Sequence, residues 1–228
     1  VFYFGDPTFI FLIPALILAF YAQAKVQSAF HKYSQVPGSS GLTGAEVARR
    51  LLSRYHVHDV AVEPTQGMLS DHYDPQKKVL RLSPQVYDST SIAALGIAAH
   101  EAGHAMQHAQ GYKPLVLRTS IVPLASIGSQ LAFPLFFLGF LFGGRTLMDA
   151  GIILFTLAVV FQLITLPVEY NASSRAIKML HENAIIGQGE VAATRNVLSA
   201  AALTYVAATA MAAMQLLRLL FLRGSRND

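Results

Sequence analysis

Three stretches of this chain, 120–142, 150–168 and 197–217, contain no Asp, Glu, Lys or Arg. Each approaches the roughly 20 residues that a helix needs to cross the hydrocarbon core of a bilayer, where every backbone polar group has to be satisfied internally. A weaker fourth run covers 9–24. Composition agrees, with 53% hydrophobic residues, 13% charged residues and a mean hydropathy of +0.43. The pattern predicts a mainly α membrane protein with about four transmembrane helices and contact with the lipid bilayer.

The first run ends in Ala22-Gln23-Ala24 followed by Lys25, the pattern of a signal-peptide cleavage site. Its N-terminal flank favours a retained anchor instead. Phe2, Tyr3 and Phe4 stand where a signal peptide carries positive charge.

The net charge of +4 does not point to nucleic acid, because the basic residues form no single patch. Ten Lys or Arg lie from Lys25 to Arg118, and Arg175, Lys178 and Arg195 lie between the third and fourth runs. The turn at Gly143-Gly144 has only Arg145. By the positive-inside rule the two richer segments are expected to face the cytoplasm, with Arg223 and Arg226 weakly opposing that orientation. With no cysteine, thiolate ligands and disulfides are excluded.

Against this background, 91–111 (SIAALGIAAHEAGHAMQHAQG) places His100, Glu101 and His104 in an HExxH pattern. Ala, Leu and Ile dominate 92–104, Ser91 suits an N-cap and Gly111 a stop, so a helix is predicted. Residues four apart on a helix share a face, so two imidazoles can hold one zinc ion while Glu101 stands beside it as a general base. The alternative is an Ala-rich core helix whose histidines only make hydrogen bonds. At a rise of about 1.5 Å per residue, 92–109 reaches only ~27 Å, and it carries three His and a Glu, so it is placed at the membrane surface or partly sunk.

Between the first span and this helix, Thr43 and Glu46 form a capping-box pattern ahead of an amphipathic helix carrying Ala45, Ala48, Leu52 and Tyr55 on one stripe. The segment 57–82 alternates with a period of two and turns at Asp74-Pro75, predicting a small sheet that ends in a β-hairpin. An open edge strand could pair with an extended peptide, or the hairpin could simply cover the sheet. Asp71, His72 and Asp74 either line the site or form a solvated turn. Ser83-Pro84 opens a short helix or turn.

A catalytic zinc has three protein ligands and an open position. His108 lies about 12 Å of helix rise from His100, too far to share an ion. The two runs 120–142 and 150–168 leave the membrane face and return to it, so Glu169 emerges on the same face as His100. Its alternative role is an interfacial carboxylate paired with Arg175. Asp149 is the rival ligand, at the opposite surface in this topology, and resembles the third-ligand Asp of site-2-type intramembrane proteases.

Taken together, GLTGAEVARRLL, LSDHYDPQKKVLRLSP, AAHEAGHAMQHAQGYKPL, TLPVEYNASSRA and AALTYVAA resemble the YugP-like neutral zinc metallopeptidases, bacterial integral membrane proteins distantly similar to HtpX-type proteases. The resemblance implies a zincin-like α+β region on the cytoplasmic side of the bacterial cell membrane. It also implies Zn2+ held by His100, His104 and Glu169, with Glu101 as base, which is the gluzincin pattern. The expected substrate is a polypeptide, either a membrane protein or a misfolded one. HtpX-like proteins carry an Asp four residues after the ligand Glu; Ser173 stands there in this chain, so that support does not transfer. A non-catalytic zinc-bearing membrane adaptor is the competing function, and a transporter is a weaker one because the spans carry few polar residues, chiefly Gln130 and Gln162. The expected division is an anchor at 1–24, a catalytic region at 25–118, a two-span hairpin at 119–168, a ligand-bearing helix at 169–196 and a final span with tail at 197–228.

Overall fold

The computed structural model describes residues 7–225, so Phe2, Tyr3, Phe4 and Arg226 lie outside the described residues. The elements run α1 (Ile13–Ser34), α2 (Gly44–Arg54), β1 (Ala61–Pro64), β2 (His72–Asp74), β3 (Val79–Leu82), α3 (Pro84–Tyr87), α4 (Ile92–Ala109), α5 (Lys113–Phe142), α6 (Arg145–Glu182) and α7 (Val191–Gly224). Short 3₁₀ turns at Pro7–Leu12 and Gln188–Glu190 precede α1 and α7. The protein is mainly α with a small three-stranded sheet, and four of its helical stretches are long and apolar enough to cross a membrane: Pro7–Ser34, Lys113–Phe142, Arg145–Glu182 and Gln188–Gly224. Each extends beyond the apolar run that announces it, because charged and polar flanks continue the helix.

The chain forms two compact units. One comprises 1–23, 117–166 and 204–228; the other comprises 24–116 and 167–203. In the first, Ala132, Phe136, Met148, Ile152, Phe155, Val159 and Leu219 make an apolar core. Aromatic rings reinforce it, with Phe133 and Phe155 edge to face at 5.3 Å.

In the second unit α4 is the central element. Fourteen of its 18 residues are buried, so α4 is a core helix covered by protein on most of its faces. Alanine makes this possible, since small side chains at Ala94, Ala98, Ala102 and Ala105 let neighbours approach closely. Ser91 caps the helix by accepting from the Ala94 amide at 3.2 Å, and the chain turns at Gly111.

The α2 helix packs Val47, Ala48, Leu51 and Leu52 against α4. Its start is the expected capping box: the Thr43 hydroxyl accepts from the Glu46 amide while the Glu46 carboxylate accepts from the Thr43 amide at 2.8 Å. These hydrogen bonds hold the Glu46 carboxyl below its usual range. The sheet has the order β1-β3-β2, with β1 parallel and β2 antiparallel to β3. The turn after β2 is set by Asp74, whose Oδ1 accepts from the Gln76 and Lys77 amides, both at 3.0 Å. Leu80 and Leu82 of β3 are fully buried in the core shared with α4.

Gly44 marks where α2 meets α3. A Cβ there would fall 2.2 Å from the Val86 carbonyl oxygen, so a backbone would have to move. Gly44→Ala is therefore expected to destabilise the protein by about 1–3 kcal/mol despite alanine's better helix propensity. A lowered thermal-unfolding midpoint in detergent is the measurement, and an unchanged midpoint would refute the contact's importance.

Candidate metal centre

The α4 helix presents His100 and His104 one turn apart, with their rings edge to face at a centroid distance of 4.7 Å. The α6 helix brings Glu169 to the same place. A close approach of the two helices permits this: a Cβ on Gly103 would lie only 3.0 Å from the Ala172 carbonyl oxygen. The Nε2 atoms of His100 and His104 are 3.2 Å apart, and Glu169 Oε2 lies 3.3 Å from the first and 3.5 Å from the second. One ligand atom from each residue falls within 4.8 Å of the others, an arrangement that could hold a metal ion.

The donor set fits zinc, being two imidazoles and one carboxylate with no fourth protein donor in the group. The electrostatics fit a cation. Burial disfavours a charged His104, yet the Glu169 carboxylate beside it and the charge of Glu101 outweigh burial and raise its pKa. Glu169 is only 2% exposed, a position where a carboxylate requires positive partners.

The far nitrogens of both rings are also engaged. His100 Nδ1 lies 3.2 Å from the Ser173 hydroxyl, and His104 Nδ1 lies 3.0 Å from Gln107 Oε1. Ser173, four residues after Glu169, is thus in contact with the His100 ring. Gln107 was not singled out by the sequence reading. Its signal is its spacing, three residues after His104 on the same helical face.

The Arg175 guanidinium donates to Asn171 Oδ1 and Gln110 Oε1 and lies over the Tyr112 ring. His108 is used elsewhere, with its Nδ1 2.8 Å from the Tyr73 hydroxyl. Burial and the nearby Asp59 and Asp74 charges push that phenol up to about 12, so it remains protonated at neutral pH. Asp149 belongs to the other compact unit, where Arg223 clamps it through two hydrogen bonds of 2.6 and 3.0 Å. Of the polar residues near β2, His72 and Asp74 make local turn contacts. Asp71 is different: it accepts from the Ser83 amide and hydroxyl, and it feels the charge of Glu101.

A family model described as "Putative neutral zinc metallopeptidase" matches residues 8–224. A relative from Bacillus subtilis (strain 168), "Putative membrane protease YugP", is 53% identical over 219 residues, covering 95% of this chain and 97% of the relative. No solved structure matches the chain.

Burial, with a smaller contribution from Glu101, raises the Asp71 carboxyl above its ordinary value of 3.8. The folded protein then holds a proton there more tightly than the unfolded chain, so ionisation costs stability as pH rises through the folded value and costs none below 3.8. Asp71→Asn is expected to gain stability relative to the parent as pH is raised from the acid side towards neutrality. Parallel pH-dependent unfolding curves for the two proteins would contradict this.

Proposed function

This chain belongs to that family of zinc metallopeptidases, and from this premise we propose that it is a zinc-dependent membrane-embedded endopeptidase of the gluzincin type. The observation that carries the reading is the convergence of His100, His104 and Glu169 from two helices onto one point. In this reading those three residues are the zinc ligands. Bound zinc supplies Lewis acidity that polarises a peptide carbonyl and acidifies a water molecule.

The remaining steps fall to the protein. Glu101, buried on α4 between the two histidines in sequence, accepts the proton of the attacking water and returns it to the leaving amine. Without such a base the hydroxide is harder to form and the amine departs as a poor leaving group. The same residue separates this proposal from a zinc-bearing adaptor, since a structural site closes all four positions and has no use for a base. Asp149 is left out of the ligand set because Arg223 already satisfies it.

The substrate in this reading is an extended polypeptide from a membrane or misfolded protein. Support comes from β2, an edge of the sheet fastened to α4 through Tyr73 and His108, whose open side offers main-chain hydrogen bonds to a peptide. The site is placed on the cytoplasmic side of a bacterial cytoplasmic membrane, supported by the Lys and Arg excess at 25–118 and 169–196.

The central test is cleavage of an unfolded protein by the detergent-purified chain with zinc quantified in parallel. Chelation abolishes activity; Glu101→Gln keeps zinc but loses activity by at least about 100-fold. Glu169→Ala loses zinc, whereas Asp149→Ala keeps it. Full activity in Glu101→Gln, or zinc loss only in Asp149→Ala, would reject the assignment. Because the chain has no native cysteine, single cysteines report orientation cleanly. A cysteine at exposed Ser53 should react with an impermeant thiol reagent only in opened cells, and one at Arg145 in intact cells.

A further inference from the structure

The hydrogen-bond chain behind His104 has only one consistent polarity. At one end Arg175 Nε donates to Asn171 Oδ1 at 2.7 Å, and a guanidinium has no acceptor. The Asn171 amide is thereby oriented with its oxygen inward. That oxygen also lies 3.0 Å from Gln107 Nε2, which is 2.9 Å from the Val168 carbonyl oxygen as well. Both neighbours of this Gln107 atom are acceptors, so it must be the amide nitrogen. Flipping Gln107 would set its oxygen against two other oxygens, and the side chain is fully buried, without exposed surface through which solvent could compensate.

Gln107 Oε1 is then the atom facing His104 Nδ1 at 3.0 Å, and a carbonyl oxygen can only accept. The proton of neutral His104 therefore sits on Nδ1. That leaves the lone pair on Nε2, the atom that faces His100 and Glu169. His100 has no equivalent lock, because the Ser173 hydroxyl beside its Nδ1 can either donate or accept.

We propose that Gln107 is a positioning residue that holds His104 in the Nδ1–H tautomer, with its own orientation imposed by the Val168 carbonyl and by Arg175 acting through Asn171. The consequence for metal binding rests on the ligand assignment proposed above: the site is prepared to receive zinc at Nε2 before any ion arrives, so the ion does not have to drive a proton shift.

The test uses full-length metal-free protein labelled with 15N at the histidine rings, at a pH where the rings are neutral. The His104 signals are identified by their loss in His104→Asn. In the wild type, His104 is expected to show a protonated Nδ1 and an unprotonated Nε2. Gln107→Met, similar in shape but unable to accept, is expected to populate the other tautomer and to weaken zinc binding, measured by chelator competition, roughly 10- to 100-fold. A wild-type His104 protonated at Nε2 would overturn the proposal even if Gln107→Met fails to fold. So would a folded Gln107→Met protein with unchanged tautomer and zinc affinity. The expected tautomer in a wild-type protein that binds no zinc would uphold the lock and reject the metal reading instead.

Discussion

Glu169 is a carboxylate held almost entirely out of solvent, with an imidazole nitrogen from each of His100 and His104 within 3.5 Å. A charge in such a place is strongly unfavourable unless positive charge and hydrogen-bond donors are gathered around it. A divalent cation held by the two imidazoles and the carboxylate would add to that positive charge without requiring protonated histidines. The helix packing around the site follows from the same need. For α6 to present Glu169 to α4, the helices approach until Gly103 lies against the Ala172 backbone, where a Cβ would be crowded against the carbonyl oxygen.

That approach also explains the composition of α4. A helix with exposed polar faces could carry the HExxH residues but could not be enclosed by α2, the sheet and α6 at once. Alanine on nearly every face allows enclosure, while the three histidines are each given a partner within the unit. His104 meets Gln107, His100 meets Ser173, and His108 meets Tyr73. Among the described residues no buried side-chain polar atom lacks a hydrogen-bond partner, which is the condition for placing so many polar groups in a core. Rigidity of this kind suits a metal site, because ligand atoms a few tenths of an ångström out of place weaken binding.

The long apolar helices answer to a different solvent. Their exposed surfaces carry large residues such as Ile153, Leu163, Leu131 and Phe137, which would be a liability in water and are ordinary against lipid. The family relationship and the Bacillus relative's printed description as a membrane protease agree with that composition. The two demands meet in α6, a single helix whose charge-free run ends at Val168 and whose next residue is the buried carboxylate.

The features legible in the sequence were those governed by short-range rules. Charge-free runs indicated four apolar helices, the i,i+4 spacing put His100 and His104 on one face, Thr43 and Glu46 spelled a capping box, and Asp74-Pro75 marked the hairpin turn. Each depends on residues within a turn or two of one another, or on composition summed over a window. Tertiary structure decided what depends on packing between distant segments. It enclosed α4 within protein on most of its faces. It joined β1 to β3 in parallel, brought Glu169 against His100 from 69 positions away in the chain, and assigned Asp149 to Arg223. The link between Gln107 and Asn171 could not be read from sequence for the same reason: it forms only because a residue of another helix stands opposite the amide.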